Sequence, residues 1–461
     1  MSNVIIDKQK IEELLTRGVE NIYPNRDFLE KLLYSRKRLT LYTGYDPTAP
    51  TLHIGHSITM LKLRQFQGLG HKVIMLIGDF TGMIGDPTDK TATRKQLTRK
   101  QVLENCKEYK KQASAILDFK GKNPVELKYN SKWLAKMNFA EVLELASHFT
   151  VQRMLERDMF EKRMLITYAR CRKCNDLFKP KIQFSTKEAF DTALPIIIST
   201  NCQICGERTV VEKKDLILAE LESPAPIYLH EFLYPVMQAY DSVIMDVDGE
   251  VGGNDQTFNM LAGRTLMKEL KNKEKFVLTT KLLTDTSGKK MGKSEGNMIA
   301  LSGSPQEMFG KVMSWSDDLI VNGFILCTRL PESEIKKLEQ DLKSGVNPRN
   351  LKIKLAGEIV KIYYGDKAAN SAEENFNKIF REHLIPEDIK TEKINRGNHK
   401  LIDLIFDYRL VSSKAEARRL IEQGGVEINQ NIIKDWQAIV NIELPQIIKA
   451  GKRRFLRLDP K

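Results

Sequence analysis

Apolar residues run almost without interruption through Lys72 to Gly78 (KVIMLIG). A short continuous apolar run of this kind suits a strand buried on both faces of a parallel sheet. Upstream, Leu39 to Tyr45 (LTLYTGY) is a β-branched and aromatic run that predicts a second strand, broken by Pro47 and Pro50. Between the two, Leu52, Ile58, Leu61, Leu63 and Phe66 fall mostly on one helical face, and Gly68 and Gly70 end the pattern. Strand, helix and strand in this order make a right-handed βαβ unit. Open α/β sheets take their ligands at the carboxyl ends of the strands, so the loop from Asp46 into the helix is the predicted binding edge. Helical periodicity then dominates from Arg94 to about Arg163. A second apolar-rich stretch covers Tyr228 to Gln256, a polar helical segment covers Ser304 to Glu387, and a basic module begins near Lys400.

Length and charge narrow the picture. At 461 residues the chain exceeds one ordinary core, so two to four domains are expected. The net charge of +13 favours a polyanionic partner such as nucleic acid or a nucleotide. No apolar run approaches the roughly 18 residues that a bilayer span needs. The amphipathic N-terminus, MSNVIIDKQKIEELL, has no secretory h-region, which makes a cytoplasmic location the expectation, with no membrane partner. Neither G-x-G-x-x-G after the first strand nor a P-loop motif occurs, which disfavours dinucleotide oxidoreductases and P-loop NTPases.

Two constellations carry chemistry. His53 and His56 (HIGH) stand three apart at the predicted helix start, on one side of its first turn. Backbone N–H groups and the macrodipole favour anions there. Imidazoles can add hydrogen bonds to phosphate oxygens, and Gly55 lets a flat ring approach the backbone. Alone, the motif suits an ordinary polar helix cap equally well. Far downstream, Thr284 to Asn297 (TDTSGKKMGKSEGN) joins small residues to Lys289, Lys290 and Lys293. Such a loop can close on a triphosphate and stabilise charge on a leaving pyrophosphate.

Together these motifs resemble the class I aminoacyl-tRNA synthetases. HIGH is intact, and KMGKS (Lys290 to Ser294) matches the lysine-loop signature with Gly292 in place of its first serine. LYTGYDPTAPTLHIGH, IGDFTGMIGDP, YPVMQAYDS and GGNDQ are similar to the tyrosyl branch, of bacterial type. The resemblance implies a tyrosine–tRNA ligase with His53, His56, Thr48, Lys290 and Lys293 as catalytic residues. Tyr42 and Asp241 would read the substrate phenol. Asp86, Tyr234 and Gln238 would lie near the α-ammonium, with Thr81 and Asn130 close by and Gln256 near the carboxylate. Asp46, Gly55, Gly253, Asp255 and Met291 would serve ATP, with Asp255 on the ribose. The resemblance also implies ATP accompanied by Mg²⁺, tRNA(Tyr) and tyrosine as partners, and a homodimer with its interface near residues 130 to 160. Glu250 departs from the common bacterial glutamine. Two rivals remain open: an RNA-binding descendant with a dead site, and a nucleotidyltransferase fused to an RNA module.

Cys171-x-x-Cys174 and Cys202-x-x-Cys205 are separated by 27 residues. Two such knuckles can supply four thiolates in a tetrahedron, the usual structural zinc arrangement, although four thiolates select weakly against iron. The family pattern runs nearly directly from ERDMFEKR to YLHEFLYP, so residues 164–226 read as a zinc-ribbon-like insertion, bordering the tRNA acceptor end or only stiffening the chain. From Leu401 to Gln430 the chain resembles a small RNA-binding module of a ribosomal protein. Lys414, Arg418, Arg419, Arg453 and Arg454 are its candidate RNA contacts. Fourteen Lys/Arg against nine Asp/Glu from Thr391 to Lys461 support that assignment.

The expected fold is thus α/β. Residues 1–303 form a Rossmann-like parallel-sheet catalytic domain carrying the insertion, 304–390 a helical tRNA-binding domain, and 391–461 a small α+β RNA-binding module.

Overall fold

The computed structural model describes residues 4–86, 96–157, 165–178, 197–212, 216–220, 228–284, 298–381, 389–429, 431–451 and 454–461. The chain divides into two compact units, Met1–Asp366 and Lys367–Lys461. The helices Pro305–Met313, Leu319–Cys327, Glu332–Lys343 and Pro348–Tyr364 therefore belong to the first unit. Arg17 helps to bind them to it. Its guanidinium donates to the carbonyls of Phe324, Ile325, Thr328 and Leu330, which cap the end of the Leu319–Cys327 helix.

The first unit is built on a six-stranded sheet. Its strands are β1 (Val19–Tyr23), β2 (Thr40–Tyr45), β3 (Lys72–Ile77), β4 (Glu126–Tyr129), β10 (Gly249–Gly253) and β11 (Phe276–Thr280). Their spatial order is β1-β11-β10-β2-β3-β4, parallel throughout except for β1 on β11. The predicted βαβ unit is present: β2 and β3 pair from Thr40↔Lys72 to Tyr45↔Ile77, and the helix Ile54–Gly68 connects them. β4 interrupts the stretch in which helical periodicity dominates. ELKY is short and half-buried, so it carries no apolar run to announce it.

Strand order reverses between β2 and β10. From β2 the chain steps outward to β3 and β4, and from β10 it steps the other way to β11. This switch point is where doubly wound sheets open a crevice.

Between β4 and β10 in sequence comes a small structure with sheets of its own. β5 (Leu165–Arg170), β6 (Leu177–Phe178) and β9 (Leu216–Glu220) form one antiparallel sheet, while β7 (Ile197–Asn201) and β8 (Arg208–Glu212) form a hairpin. In the second unit the strands are β12 (Lys390–Ile394), β13 (Gly397–Lys400), β14 (Val426–Ile428), β15 (Asn431–Ile433), β16 (Ile439–Ile442), β17 (Gln446–Ala450) and β18 (Arg454–Pro460). β12-β18-β17-β14-β15 make its main sheet, and β13 pairs with β16. With the helices Leu401–Asp407 and Lys414–Glu422 they enclose a core containing Leu401, Ile405, Ala417, Ile421, Ile448 and Leu456.

His71, at the start of β3, is buried, and its Nδ1 accepts the Leu39 N–H at 3.2 Å. Burial, more than the nearby Arg38, lowers its pKa from 6.5 to about 4. The native state therefore binds fewer protons than the unfolded chain between about pH 6.5 and pH 4, and stability from this group falls as pH drops through that window. Urea denaturation at pH 7.5 and pH 5 should show a lower midpoint at pH 5, and His71→Asn should reduce the difference. An equal pH response in wild type and variant would remove His71 as the cause.

Candidate functional site

The helix Ile54–Gly68 begins at the carboxyl end of β2, and His53 is its N-cap. His53 Nδ1 accepts the Gly55 N–H at 3.1 Å, and His56 Nδ1 accepts the His53 N–H at 3.1 Å. This reciprocal capping leaves the proton on Nε2 of both neutral rings, making each Nε2–H a donor. The ring centroids lie 3.8 Å apart. Ile54 N donates to Ile299 O, and Leu301 N donates to Leu52 O. The chain just after the lysine loop is thus tied alongside the histidines. Lys290, Met291 and Lys293 lie outside the described residues.

Asp46 directly follows β2. Its carboxylate accepts the Thr81 hydroxyl at 2.7 Å and the Tyr234 hydroxyl at 2.7 Å. Gly78 makes room for it: a Cβ there would lie 2.0 Å from Asp46 Oδ1. Asn130 donates to Thr81 Oγ1 at 3.0 Å and to Asp241 at 3.3 Å, while Trp133 Nε1–H donates to Asp241 at 2.7 Å. Tyr42, Thr81, Asn130, Tyr234 and Asp241 are all buried. Burial raises the Asp241 carboxyl well above the usual carboxylate range, against the opposing pull of Trp133 and Asn130. It likewise raises the Tyr42 hydroxyl, with Glu250 and Asp241 adding to the effect.

A second chain of polar groups borders the first. Gln256 Nε2 donates to Asp86 at 2.7 Å, and Arg157 pairs with the other Asp86 oxygen. Asn259 Nδ2 donates to both Gln256 Oε1 and Gln238 Oε1, at 3.1 and 3.0 Å. Gln238 in turn donates to Glu250, and Glu250 pairs with the fully buried Lys275. Asp255 and Gln256 stand just past the end of β10, in the short 3₁₀ turn Asn254–Gln256. A Cβ at Gly253 would lie 2.5 Å from Asp255 Oδ1. Thr48 is half-buried in the loop after β2, where its N–H donates to Asp46 O at 2.8 Å.

Asp46, Thr81, Asn130, Tyr234 and Asp241 thus share one hydrogen-bonded set, and Asp86, Gln238 and Gln256 a second beside it, at the sheet's switch point. Asp46, expected by ATP, joins Thr81 and Tyr234. Asp86 is held by Gln256 and Arg157. Trp133, Arg157, Ser242, Asn259 and Lys275 went unnoticed in the sequence. Lys275 is the clearest case, since in NKEKF it reads as one more lysine of a solvated turn. Only an apolar Phe276 beside it hints at burial.

Cys171, Cys174, Cys202 and Cys205 converge with all four sulfurs within 4.8 Å of one another. Cys171 Sγ lies 3.9 Å from Cys205 Sγ, and Cys174 Sγ lies 3.8 Å from Cys202 Sγ. A tetrahedron with metal–sulfur bonds of about 2.3 Å has edges of about 3.8 Å. The two knuckles are built alike. Cys171 and Cys202 donate to the carbonyls of Asp176 and Glu207, and their sulfurs accept from the Lys173 and Ile204 N–H groups. Asn175 and Gly206 take positive φ at the matching turns.

In the second unit, Ser413 caps the Lys414–Glu422 helix. Lys414 pairs with Asp403, Arg418 with Glu422, and Arg454 with Glu416. Arg418 also lies over the Trp436 ring, 4.6 Å from its centroid. Arg419 is exposed. Arg453 lies outside the described residues.

Among the described residues no helix is long and apolar enough to cross a membrane. The family model for class I tRNA synthetases of the tryptophan and tyrosine type matches residues 34–168 and 197–381. A tyrosine–tRNA ligase C-terminal domain model matches residues 382–457. The chain is 41% identical over 459 residues to a tyrosine–tRNA ligase of Carboxydothermus hydrogenoformans, covering 97% of each chain. It is 40% identical over 458 residues to that of Haemophilus ducreyi, covering 98% of this chain and 100% of the relative. Among solved structures, a truncated mitochondrial tyrosyl-tRNA synthetase of Coccidioides posadasii shares the fold. Its TM-score is 0.56 at 24% identity, covering 80% of this chain and 92% of that one.

Proposed function

Since the chain belongs to the tyrosine branch of the class I tRNA synthetases, joining tyrosine to tRNA(Tyr) with ATP and releasing AMP and pyrophosphate, we propose roles for its residues. The buried cluster at the switch point is the tyrosine pocket, and the histidine pair is the phosphate site. The observation that carries this is the connection of Asp46, Thr81, Asn130 and Asp241 by hydrogen bonds, beginning at the same carboxyl end of β2 from which the chain enters the Ile54–Gly68 helix.

In this reading Tyr42 and Asp241 meet the substrate's phenol, as donor and acceptor. Tyr234, Gln238 and Asp86 meet the ammonium, with Thr81 and Asn130 holding the pocket's shape. Gln256 lies by the carboxylate, and Asp255 meets the ribose beside Gly253. Asp46 supports the pocket from the ATP side, and Thr48 and Gly55 border the phosphates. The tyrosine carboxylate oxygen attacks the α-phosphorus, a new O–P bond forms, and the bond to the bridging β-phosphate oxygen breaks. His53 and His56 donate from Nε2 to phosphate oxygens as charge develops, and Lys290 and Lys293 neutralise the departing pyrophosphate. Mg²⁺ accompanies ATP and needs no all-protein cage. Met291 lies near the adenine.

The four thiolates hold one structural zinc ion, because a closed tetrahedron leaves no position for substrate. Residues 304–390 and 391–461 serve tRNA. Lys414, Arg418 and Arg454 exchange their surface partners for RNA phosphates, a small cost for exposed ion pairs, and Arg419 and Arg453 add further phosphate contacts. The chain acts as a cytoplasmic homodimer. Phe139 at 76% exposure, Leu143 at 55% and Val151 at 65%, on the helices Phe139–Ser147 and Val151–Leu155, support burial of this face in a partner copy.

ATP–pyrophosphate exchange tests the site and the metal together. Exchange should depend on tyrosine, and exchange driven equally by another amino acid would overturn the pocket. Elemental analysis of protein purified without chelator should find about one zinc per chain. After chelation, tyrosine-dependent exchange should be largely retained while transfer to tRNA falls first. Loss of exchange in chelated protein that stays folded would overturn the structural role.

A further inference from the structure

Lys275 has no exposed surface, and its hydrogen-bond partners are protein groups that border the proposed pocket. Its ammonium donates to Glu250 and to Ser242 Oγ, the latter at 2.8 Å. Ser242 Oγ is also 2.9 Å from Tyr42 Oη. The Leu229–Met245 and Thr257–Lys271 helices pass close here. A Cβ at Gly263 would lie 2.6 Å from Lys275 Nζ and 2.9 Å from Ser242 Oγ, so glycine leaves the space these bonds occupy.

We infer that Lys275 is a positioning residue for substrate specificity: it orders a one-way hydroxyl relay, Lys275 to Ser242 to Tyr42, that turns the Tyr42 O–H toward the substrate phenol. The inference rests on the proposed pocket, in which Tyr42 and Asp241 meet the phenol.

The direction follows from hydrogen-bond chemistry. Burial lowers the Lys275 pKa and the adjoining Glu250 carboxylate opposes that shift; as the ammonium of this pair Lys275 has only donors, so Ser242 Oγ must accept from it. The Ser242 proton then turns to its other near neighbour, Tyr42 Oη. With a lone pair of Tyr42 so used, its own proton is directed away from Ser242. Glu250 is the acceptor that competes for this proton, since it both bears its charge on Tyr42 and lies within hydrogen-bonding reach of the hydroxyl. Lys275 neutralises that carboxylate, and Gln238 Nε2 takes its other oxygen at 3.0 Å. With Glu250 so engaged, the bound phenol oxygen outcompetes it for the Tyr42 proton, while Asp241 accepts the phenol proton. A substrate without the hydroxyl leaves both groups without a partner in a buried site. The same pair touches Gln238, so one buried charge pair fixes groups at both ends of the amino acid. The pair itself contributes little net stability beside well-packed apolar residues.

The test compares kcat/KM for tyrosine and phenylalanine in pyrophosphate exchange for two variants. Ser242→Ala keeps the ion pair and breaks the relay. Lys275→Met with Glu250→Gln removes both charges together, so that neither is left buried alone. Each should lose at least about tenfold in discrimination with KM for ATP unchanged, and the triple variant should lose little more than either. Wild-type discrimination in folded Ser242→Ala protein would overturn the relay, whether or not the charge-pair variant folds. A fall in kcat for both amino acids alike, with discrimination preserved, would also overturn it, because it indicates a merely structural role. Asp241→Ala separates the two levels of the argument. If it too discriminates normally, the pocket reading fails; if it alone loses discrimination, only the relay fails.

Discussion

Alanine at His56 should slow tyrosyl-adenylate formation by about 100-fold, with tyrosine affinity changed less than about threefold. The expectation comes from where the ring stands. His56 Nδ1 is engaged by the His53 N–H, and His53 Nδ1 by the Gly55 N–H. Both rings therefore present Nε2–H at the start of a 15-residue helix, whose backbone dipole points the same way. Groups so arranged meet charge that grows on the phosphates during the reaction, rather than charge in bound tyrosine. His53→Ala should behave similarly, with an added loss of helix capping of about 1 kcal/mol. Single-turnover adenylation, read with tyrosine binding by equilibrium titration, separates the two effects. Normal single-turnover rates in both variants would remove the histidines from the chemistry.

The second large effect is on the choice of amino acid. Asp241→Ala should reduce the preference for tyrosine over phenylalanine by about 10- to 100-fold, the cost of a buried hydroxyl losing its acceptor. Asp241 is buried and held by Trp133 and Asn130, so it does not swing away to solvent. Alanine also strands those two donors, and a loss of thermal stability should accompany the loss of specificity. Asp241→Asn keeps an acceptor oxygen for Trp133 and should melt closer to wild type while still losing part of the preference. A variant that is folded and as selective as wild type would show that the phenol lies elsewhere.

Much of this was legible in the chain itself, for reasons that differ by residue. The βαβ frame declared itself because strands buried on both faces need runs such as KVIMLIG. The four cysteines declared themselves by spacing. β4 did not, because its half-buried residues are mixed in character. The polar cluster was legible only as a set of residues, not as a set of bonds. Tyr42 and Ser242 are joined by a hydrogen bond across 200 positions, and Glu250 meets Lys275 only because β10 and β11 lie side by side. Lys275 illustrates the limit: its burial follows from the register of Phe276 and Val277 against β10, which no local pattern around NKEKF encodes.

The strand order has a consequence for how the chain is made. β2, β3 and β4 can pair as soon as residue 129 has left the ribosome, since each follows its neighbour in sequence. β10 must then dock on the open flank of β2, through Gly249↔Leu41 and Glu250↔Tyr42. β1 waits longer still, because its partner β11 ends at Thr280. During synthesis the nascent chain therefore holds half a sheet, with the flank of β2 unpaired, while the entire cysteine insertion is translated. Non-local pairing of this kind is slow and leaves strand edges exposed. Ribosomes stalled before codon 249 should carry chains that bind trigger-type chaperones and form no tyrosine site, whereas release after codon 280 completes the sheet.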